Sequence, residues 1–301
     1  MKHVSIIIPT YNRAGVITDS IQSILNQTYT EYELLIIDDG STDNTEEIVN
    51  ALASTSAAGE RIRYIKLPEN RGVAAARNEG IRQATYDYIA FQDSDDYWMP
   101  DKLEKQMVYF DSISSGSDSG DASNSGASSN SGAHSSDIRM TALLYCPYEC
   151  KKQDGNTIFV PDTGIPLSQK QGNIYEYMLR RNTIGTPCVI LRRECLDKVG
   201  LFNENLHCLE DWDFFLRISK HYDIAFQDEP LVKVNLSTDG VSHNISGYYE
   251  ARCHMLALHK EALLNYGIFQ DVTKDILESA EQLGILQQVS QIMQYHLLNN
   301  I

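Results

Sequence analysis

Positive charge is scarce in this sequence: 25 lysines and arginines stand against 41 aspartates and glutamates, a net charge of −16 over 301 residues. That balance argues against a nucleic-acid partner gripped through its phosphates, and leaves room for a local basic pocket around one phosphorylated ligand. Long apolar runs are missing too. The opening MKHVSIIIPTYNR has too short an apolar stretch for a signal peptide or a spanning helix, and no later run has the length to cross a bilayer. The expectation is a cytoplasmic protein. The six cysteines (Cys146, Cys150, Cys188, Cys195, Cys208, Cys253) lack the C-x-x-C spacing of a zinc site and read as reduced, packed thiols, with Cys146 and Cys150 a strand or turn pair. Glycine is absent where a dinucleotide would need it: PTYNR stands after the first strand in place of G-x-G-x-x-G, and no P-loop occurs. A Rossmann dehydrogenase and a sugar nucleotidyltransferase are thereby disfavoured. Phosphates would have to be held by a metal and by basic side chains.

What is present is an ordinary globular composition, 42% hydrophobic and 22% charged, in a chain long enough for one large domain or one and a half. Short β-rich runs, VSIIIP (4–9), ELLIID (33–38), IRYIKL (62–67) and YIAFQ (88–92), alternate with helical patterns. Val16, Ile17, Ile21, Ile24 and Leu25 form one apolar stripe; 43–53 and 72–84 are the second and third helices. Right-handed crossovers in this order place the carboxyl ends of all four strands on one edge, where open α/β sheets bind ligands. There the sequence sets Pro9-Thr10-Tyr11-Asn12-Arg13, Asp38-Asp39-Gly40-Ser41, Glu69-Asn70-Arg71-Gly72 and Asp93-Ser94-Asp95-Asp96.

In an extended chain Asp93 and Asp95 project to one side and Ser94 to the other. Facing carboxylates repel, and the repulsion is relieved by a proton, by Arg or Lys, or by a hard divalent cation. An acidic loop capping the next helix explains a lone D-x-D equally well. Asp96 then supports the loop or caps the helix at Pro100. Arg71, in a turn, and Arg77, one turn into a helix, could hold phosphates, although a solvated helical arginine accounts for Arg77 alone. Tyr11 could stack on a planar base and Asp39 could accept from a base imide; the rival role of helix N-cap is already served by Ser41, Thr42 and Asp43.

Residues 112–137 turn into Ser, Gly, Asn, Asp and Ala, a composition that reads as a flexible insert. The expected organisation is an α/β ligand-binding half (1–111), this insert, a second half (138–247) and a helical tail (248–301). The second half holds a strand at 141–145, a turn at Asp154-Gly155-Asn156, a helix near 175–181, and the stretches GTPCVILRR, LEDWDFFLRI and IAFQDEPLVKVNLS. The Leu and Ile rows of the tail need a surface: this domain, a second subunit or a membrane face.

VSIIIPTYNR, LLIIDDGSTDNT, NRGVAAARN, FQDSDDYW and LEDWDFFLRI resemble, in order and spacing, the successive motifs of family 2 glycosyltransferases with the GT-A fold. The match spans about the first 110 residues and the stretch from Thr186 to Ile218. The resemblance implies an α/β fold, a Rossmann-like α/β/α sandwich with a mixed, mainly parallel central sheet plus C-terminal helices. It implies an inverting enzyme that moves a sugar from a nucleotide-diphosphate donor, a UDP-sugar by preference, to a hydroxyl of a glycan or glycolipid, with Mn²⁺ or Mg²⁺ as cofactor. On the matching positions Tyr11 stacks on the nucleobase with Thr10 beside it, Asp39 binds the base, Arg71 lies near the nucleotide, Asp93 sits near ribose and metal, and Asp95 is on the metal. Asp211 of the pair Glu210-Asp211 is the catalytic base, with Asp213 as the competing choice and an acidic first helical turn as the simpler account. His243, in TDGVSHN, falls where a late loop of such enzymes closes over the metal and diphosphate; a surface loop histidine is the plainer reading. The insert departs from the family pattern and leaves the acceptor side open. The context implied is polysaccharide or glycolipid assembly in the cytoplasm, peripheral to the inner membrane face, with no nucleic acid, and with membrane association or a homodimer through the tail. Two alternatives carry less: a nucleotide-sugar-binding protein without transfer, against which the Glu210-Asp211 pair argues, and a Mg²⁺-dependent phosphatase, whose D-x-D belongs after the first strand.

Overall fold

The computed structural model describes residues 2–57, 59–115, 139–151, 155–235 and 245–299. Strands β1 (Val4–Thr10) and β2 (Tyr32–Asp38) bury every residue, as continuous apolar runs do when both faces of a sheet are covered. With β3 (Ile62–Lys66) and β4 (Tyr88–Phe91) they pair in parallel in the order β4-β1-β2-β3. The order reverses beside β1, which opens a crevice at the carboxyl ends of β1 and β4. Helices α1 (Ile17–Leu25), α2 (Thr45–Thr55) and α3 (Val73–Gln83) make the crossovers. Ile17, Ile21 and Ile24 are fully buried, whereas Val16, expected in the same stripe, is exposed because it is the N-cap and the helix begins after it. α3 sits tight on the sheet: a Cβ at Gly80 would lie 2.4 Å from the Ile7 side chain.

The remaining strands are β5 (Tyr97–Trp98), β6 (Thr141–Tyr145), β7 (Tyr148–Lys151), β8 (Thr157–Val160), β9 (Val189–Arg192), β10 (Asp223–Phe226) and β11 (Val232–Val234). The central sheet becomes mixed, with seven strands in the order β10-β6-β9-β4-β1-β2-β3, because β9 runs antiparallel to both β4 and β6. A second sheet, β5-β11-β7-β8, continues directly from the acidic turn after β4. The further helices are α4 (Lys102–Ser115), α5 (Tyr175–Arg180), α6 (Leu196–Val199), α7 (Glu210–His221), α8 (Ile245–Leu258), α9 (Lys260–Asn265), α10 (Phe269–Gln282) and α11 (Leu286–Asn299).

Two expected boundaries shift. Residues 112–115 are the end of α4, so only the rest of the 112–137 insert falls outside the described residues, as do Asp154 of the expected turn and the TDGVSH segment with His243. The tail starts at Ile245 and packs on this domain: His259 Nε2 lies 3.3 Å from Asp213, Arg252 lies 5.3 Å over the Trp212 ring, and Tyr266 meets Tyr175 edge-on at 5.9 Å. Among the described residues no helix is long and apolar enough to cross a membrane. All six cysteines are free and buried. Lys102 is fully buried, its ammonium 3.7 Å over the Trp98 ring and 2.7 Å from Gln106 Oε1.

Candidate active site

The ends of β1, β2 and β4, the turn before α3 and the start of α7 enclose a cleft of about 920 Å³. Its first wall is the loop after β1. Asn12 takes the left-handed conformation at φ 51° and its side chain accepts the Thr42 N–H at 2.8 Å, while the Ser41 and Thr45 hydroxyls accept the N–H groups of Asn12 and Arg13 at 2.8 and 3.0 Å. Two loops are thereby stitched into one rim. Tyr11 is left 43% exposed at the mouth, and Thr10 is buried with a hydroxyl that has no hydrogen-bond partner among the described residues.

The Asp38-Asp39 pair divides its labour. Asp38, fully buried, accepts the Ser41 N–H at 2.8 Å and the Tyr64 hydroxyl. Asp39 caps no part of α2, whose start is served by Asp43 accepting the Thr45 N–H at 3.1 Å. Instead its two oxygens accept the N–H groups of Arg71 and Gly72, at 2.9 and 2.7 Å, and burial raises its carboxyl above the ordinary carboxylate range. Gly40 permits that approach: at φ 81°, a Cβ there would stand 2.9 Å from the Glu69 carbonyl carbon. Arg71 is half exposed and reaches Glu204 at 2.7 Å.

The acidic run after β4 is not extended. Asp93–Asp96 is a turn closed by the Asp96 N–H on the Asp93 carbonyl at 3.2 Å, so alternation of side chains does not apply. Asp93, Asp95 and Asp96 all line the cleft nonetheless. Asp93 is held by Arg77, whose second arm holds Glu210, at 2.9 and 2.6 Å. Arg77 is therefore no solvated helical arginine: both of its Nη groups donate to carboxylates. Burial works against its charge, but Asp93, Glu210 and Asp211 outweigh that and raise its pKa. Asp96 is pushed well above its ordinary value by burial and then by Asp93 and Asp95, and its carboxylate accepts the Asn235 N–H at 3.1 Å. It ties down the loop and caps no helix.

This crowding is what a hard cation relieves, and the oxygen donors suit Mg²⁺ or Mn²⁺. Among the described residues no three His, Cys, Asp or Glu side chains surround a common point. A cation here would thus take one or two carboxylates, with phosphate and water oxygens completing the shell, the usual habit of Mg²⁺.

α7 brings the last pair. Leu209, left-handed at φ 59°, turns the chain into the helix so that Glu210 and Asp211 open its first turn at the cleft. Burial and then Glu210 push the Asp211 carboxyl up to about 7, against the pull of Arg77. Its Oδ1 accepts the Trp212 N–H at 2.7 Å and its Oδ2 the Asn182 amide at 3.3 Å. Asp213, the rival base, does not line the cleft: Arg217 at 2.8 Å and His259 hold it, and they lower its pKa in spite of burial. Sequence reasoning missed Glu204, His207, Asn235 and Tyr248, which also line the cleft. They sit singly in FNENLH, KVNLS and GYYEA, with no repeat or pairing to mark them.

Residues 5–168 match the family described as Glycosyl transferase family 2. The chain is 30% identical over 242 residues to the putative teichuronic acid biosynthesis glycosyltransferase TuaG of Bacillus subtilis, covering 80% of this chain and 82% of that one. It is 30% identical over 255 residues to the uncharacterized glycosyltransferase RC0461 of Rickettsia conorii, which takes in 84% of this chain but only 37% of that relative. Among solved structures, TarS 1-349 of S. aureus in complex with UDP-GlcNAc superposes with a TM-score of 0.61 at 21% identity, over 84% of this chain and 65% of that one.

Proposed function

The chain belongs to glycosyltransferase family 2 and has the α/β fold of the GT-A enzymes, and from that premise we propose that it transfers a sugar from a nucleotide-diphosphate donor to an acceptor hydroxyl with inversion. The observation that carries the proposal is the meeting of Tyr11, Asp39, Asp95 and Asp211 in one cleft. A UDP-sugar is the preferred donor and a glycan or glycolipid the acceptor, which is in keeping with TuaG and with the UDP-GlcNAc bound by TarS. We place the reaction in the cytoplasm.

The exposed Tyr11 ring offers its face to the base, with Thr10 next to it in the chain, and the Asp39 carboxylate offers a hydrogen bond beside it. The Arg71 side chain, half exposed at the rim, supplies positive charge to the nucleotide. Asp95, with Asp93, would hold the divalent cation, which when bound acts as a Lewis acid for the charge left on the departing diphosphate. Arg77 fixes the acidic turn relative to α7 by bonding both. Asp211 takes the proton of the acceptor hydroxyl as it attacks the anomeric carbon from the face opposite the leaving group. A carboxylate with a raised pKa suits that task, because it holds the proton more firmly than an ordinary aspartate.

The test is release of UDP from a panel of UDP-sugars with Mn²⁺ or Mg²⁺. Asp95→Ala is expected to abolish it, and Asp211→Asn to keep donor binding while slowing transfer by roughly 10²–10⁴-fold. Full activity of either variant removes the role given to that residue.

A further inference from the structure

α8 opens the tail, and its first turn lies at the cleft. Its first turn sets the half-buried Tyr248 into the wall that Asp211 also lines. One turn on, Arg252 donates from Nη1 to the Tyr248 hydroxyl at 3.1 Å and from Nη2 to Asp275 of α10 at 3.0 Å. The same guanidinium lies 5.3 Å over the ring of Trp212 and 5.9 Å from the ring of Tyr248. Trp212 in turn is fixed by its indole N–H on the Met178 carbonyl at 2.7 Å, and its backbone N–H donates to Asp211 at 2.7 Å. A continuous run of contacts therefore leads from the Asp211 carboxylate through Trp212 and Arg252 to the hydroxyl of Tyr248.

Two facts give that run a purpose. An Arg with 12% of its side chain exposed, spent on a tyrosine hydroxyl, an indole face and a carboxylate, holds the Tyr248 ring in one orientation at little entropic cost on binding. The ring is joined to Asp211 by that run of contacts, whereas Tyr11 and Asp39 stand at the ends of β1 and β2. In a transfer between two substrates, the group that touches the attacking hydroxyl is the base, so a rigid aromatic wall connected to the base faces the acceptor. A pyranose has a face of C–H groups and a rim of hydroxyls. A fixed tyrosine ring matches the former and a polar cleft the latter.

We infer that Tyr248, held by Arg252, is a specificity-determining residue for the acceptor and forms the platform on which the acceptor pyranose lies. The inference rests on the glycosyltransfer reading, and it makes the helical tail part of the active unit.

The test uses saturation-transfer difference NMR on the full chain, with UDP and Mg²⁺ as one probe and methyl β-D-glucopyranoside and methyl 2-acetamido-2-deoxy-β-D-glucopyranoside as the others. With UDP saturating, the wild-type chain is expected to pass saturation to pyranoside ring C–H protons. Tyr248→Phe keeps at least half of that signal, and Tyr248→Ala lowers it at least five-fold. UDP signals stay equal in all three, which also shows that the variants are folded. Pyranoside signals absent from the wild type, or undiminished in Tyr248→Ala, overturn the platform while leaving the donor site standing. A loss of UDP signal in Tyr248→Ala assigns the ring to the donor and overturns it as well. A wild-type chain that takes no saturation to UDP brings down the transferase reading and the platform together.

Discussion

Asp211 and Lys102 show how burial, joined at Asp211 by the charge of Glu210, gives two side chains unusual chemistry. For Asp211 the ionised form is the one that accepts a proton, and its pKa is up to about 7. As pH falls through that value the base is lost, so kcat/KM is expected to drop about tenfold per unit below pH 7 and to level off above it. A pH–rate profile checks this; an acid limb near pH 4 would mean that Asp211 is not the base. Lys102 is shifted the other way, from an ordinary 10.5 to about 8, by burial first. A cation whose folded pKa lies below its unfolded one costs stability in full below about pH 8, and that cost fades as pH rises towards 10.5. The shift alone corresponds to roughly 3 kcal/mol, offset in part by the Trp98 face and Gln106. Lys102→Met is therefore expected to be about 1–2 kcal/mol more stable than wild type at pH 7, with the gap closing by pH 10. Urea unfolding of both chains at several pH values reads it, and a gap that widens with pH would contradict it.

At the scale of elements, the site depends on turns that bring strand ends together. Gly40 lets the β2 turn lie against Glu69 and Asn70. Gly40→Ala adds both a strained φ and a clash with backbone, so a loss of roughly 1–3 kcal/mol is expected, together with a raised KM for the donor, because Asp39 and Arg71 are carried on the two sides of that contact. A variant with unchanged Tm and donor KM would show that the contact does not matter. Strand positions were legible in the sequence because β1 and β2 are built around the apolar runs Ile6–Ile8 and Leu34–Ile37 and the turns between them are polar. The strand at 141–145 matched β6 residue for residue. The geometry of the acidic turn was not legible: alternation holds only while a chain stays extended, and hydrogen bonds closing after Gln92 end it. The partnership of Arg77 was hidden for another reason, since Asp93 and Glu210 lie 16 and 133 residues away along the chain. No local pattern encodes such a pairing.

For the whole molecule, the tail is the decisive question. Tyr249, Cys253 and Leu256 of α8 are buried, and Arg252, His259 and Tyr266 reach α7 and α5. Removing residues 245–299 uncovers Trp212 and leaves Asp213 without His259, so the shortened chain is expected to lose its cooperative thermal transition. Calorimetry decides, and a sharp transition near the wild-type Tm would make the tail an independent appendage. The apolar rows of the tail were visible in the sequence, but their partner was not, because a helical stripe states that something must cover it without stating what. The ion-pair bridge of Arg77 has a larger consequence. One guanidinium joins the acidic turn after β4 to the first residue of α7 from within a buried site, where a cation deprived of an ion-pair partner costs roughly 3–5 kcal/mol. Chimaeras that swap everything after residue 138 for a relative's counterpart will therefore fold and turn over only when the incoming segment supplies an acidic partner at position 210, which makes that single contact the compatibility key between halves.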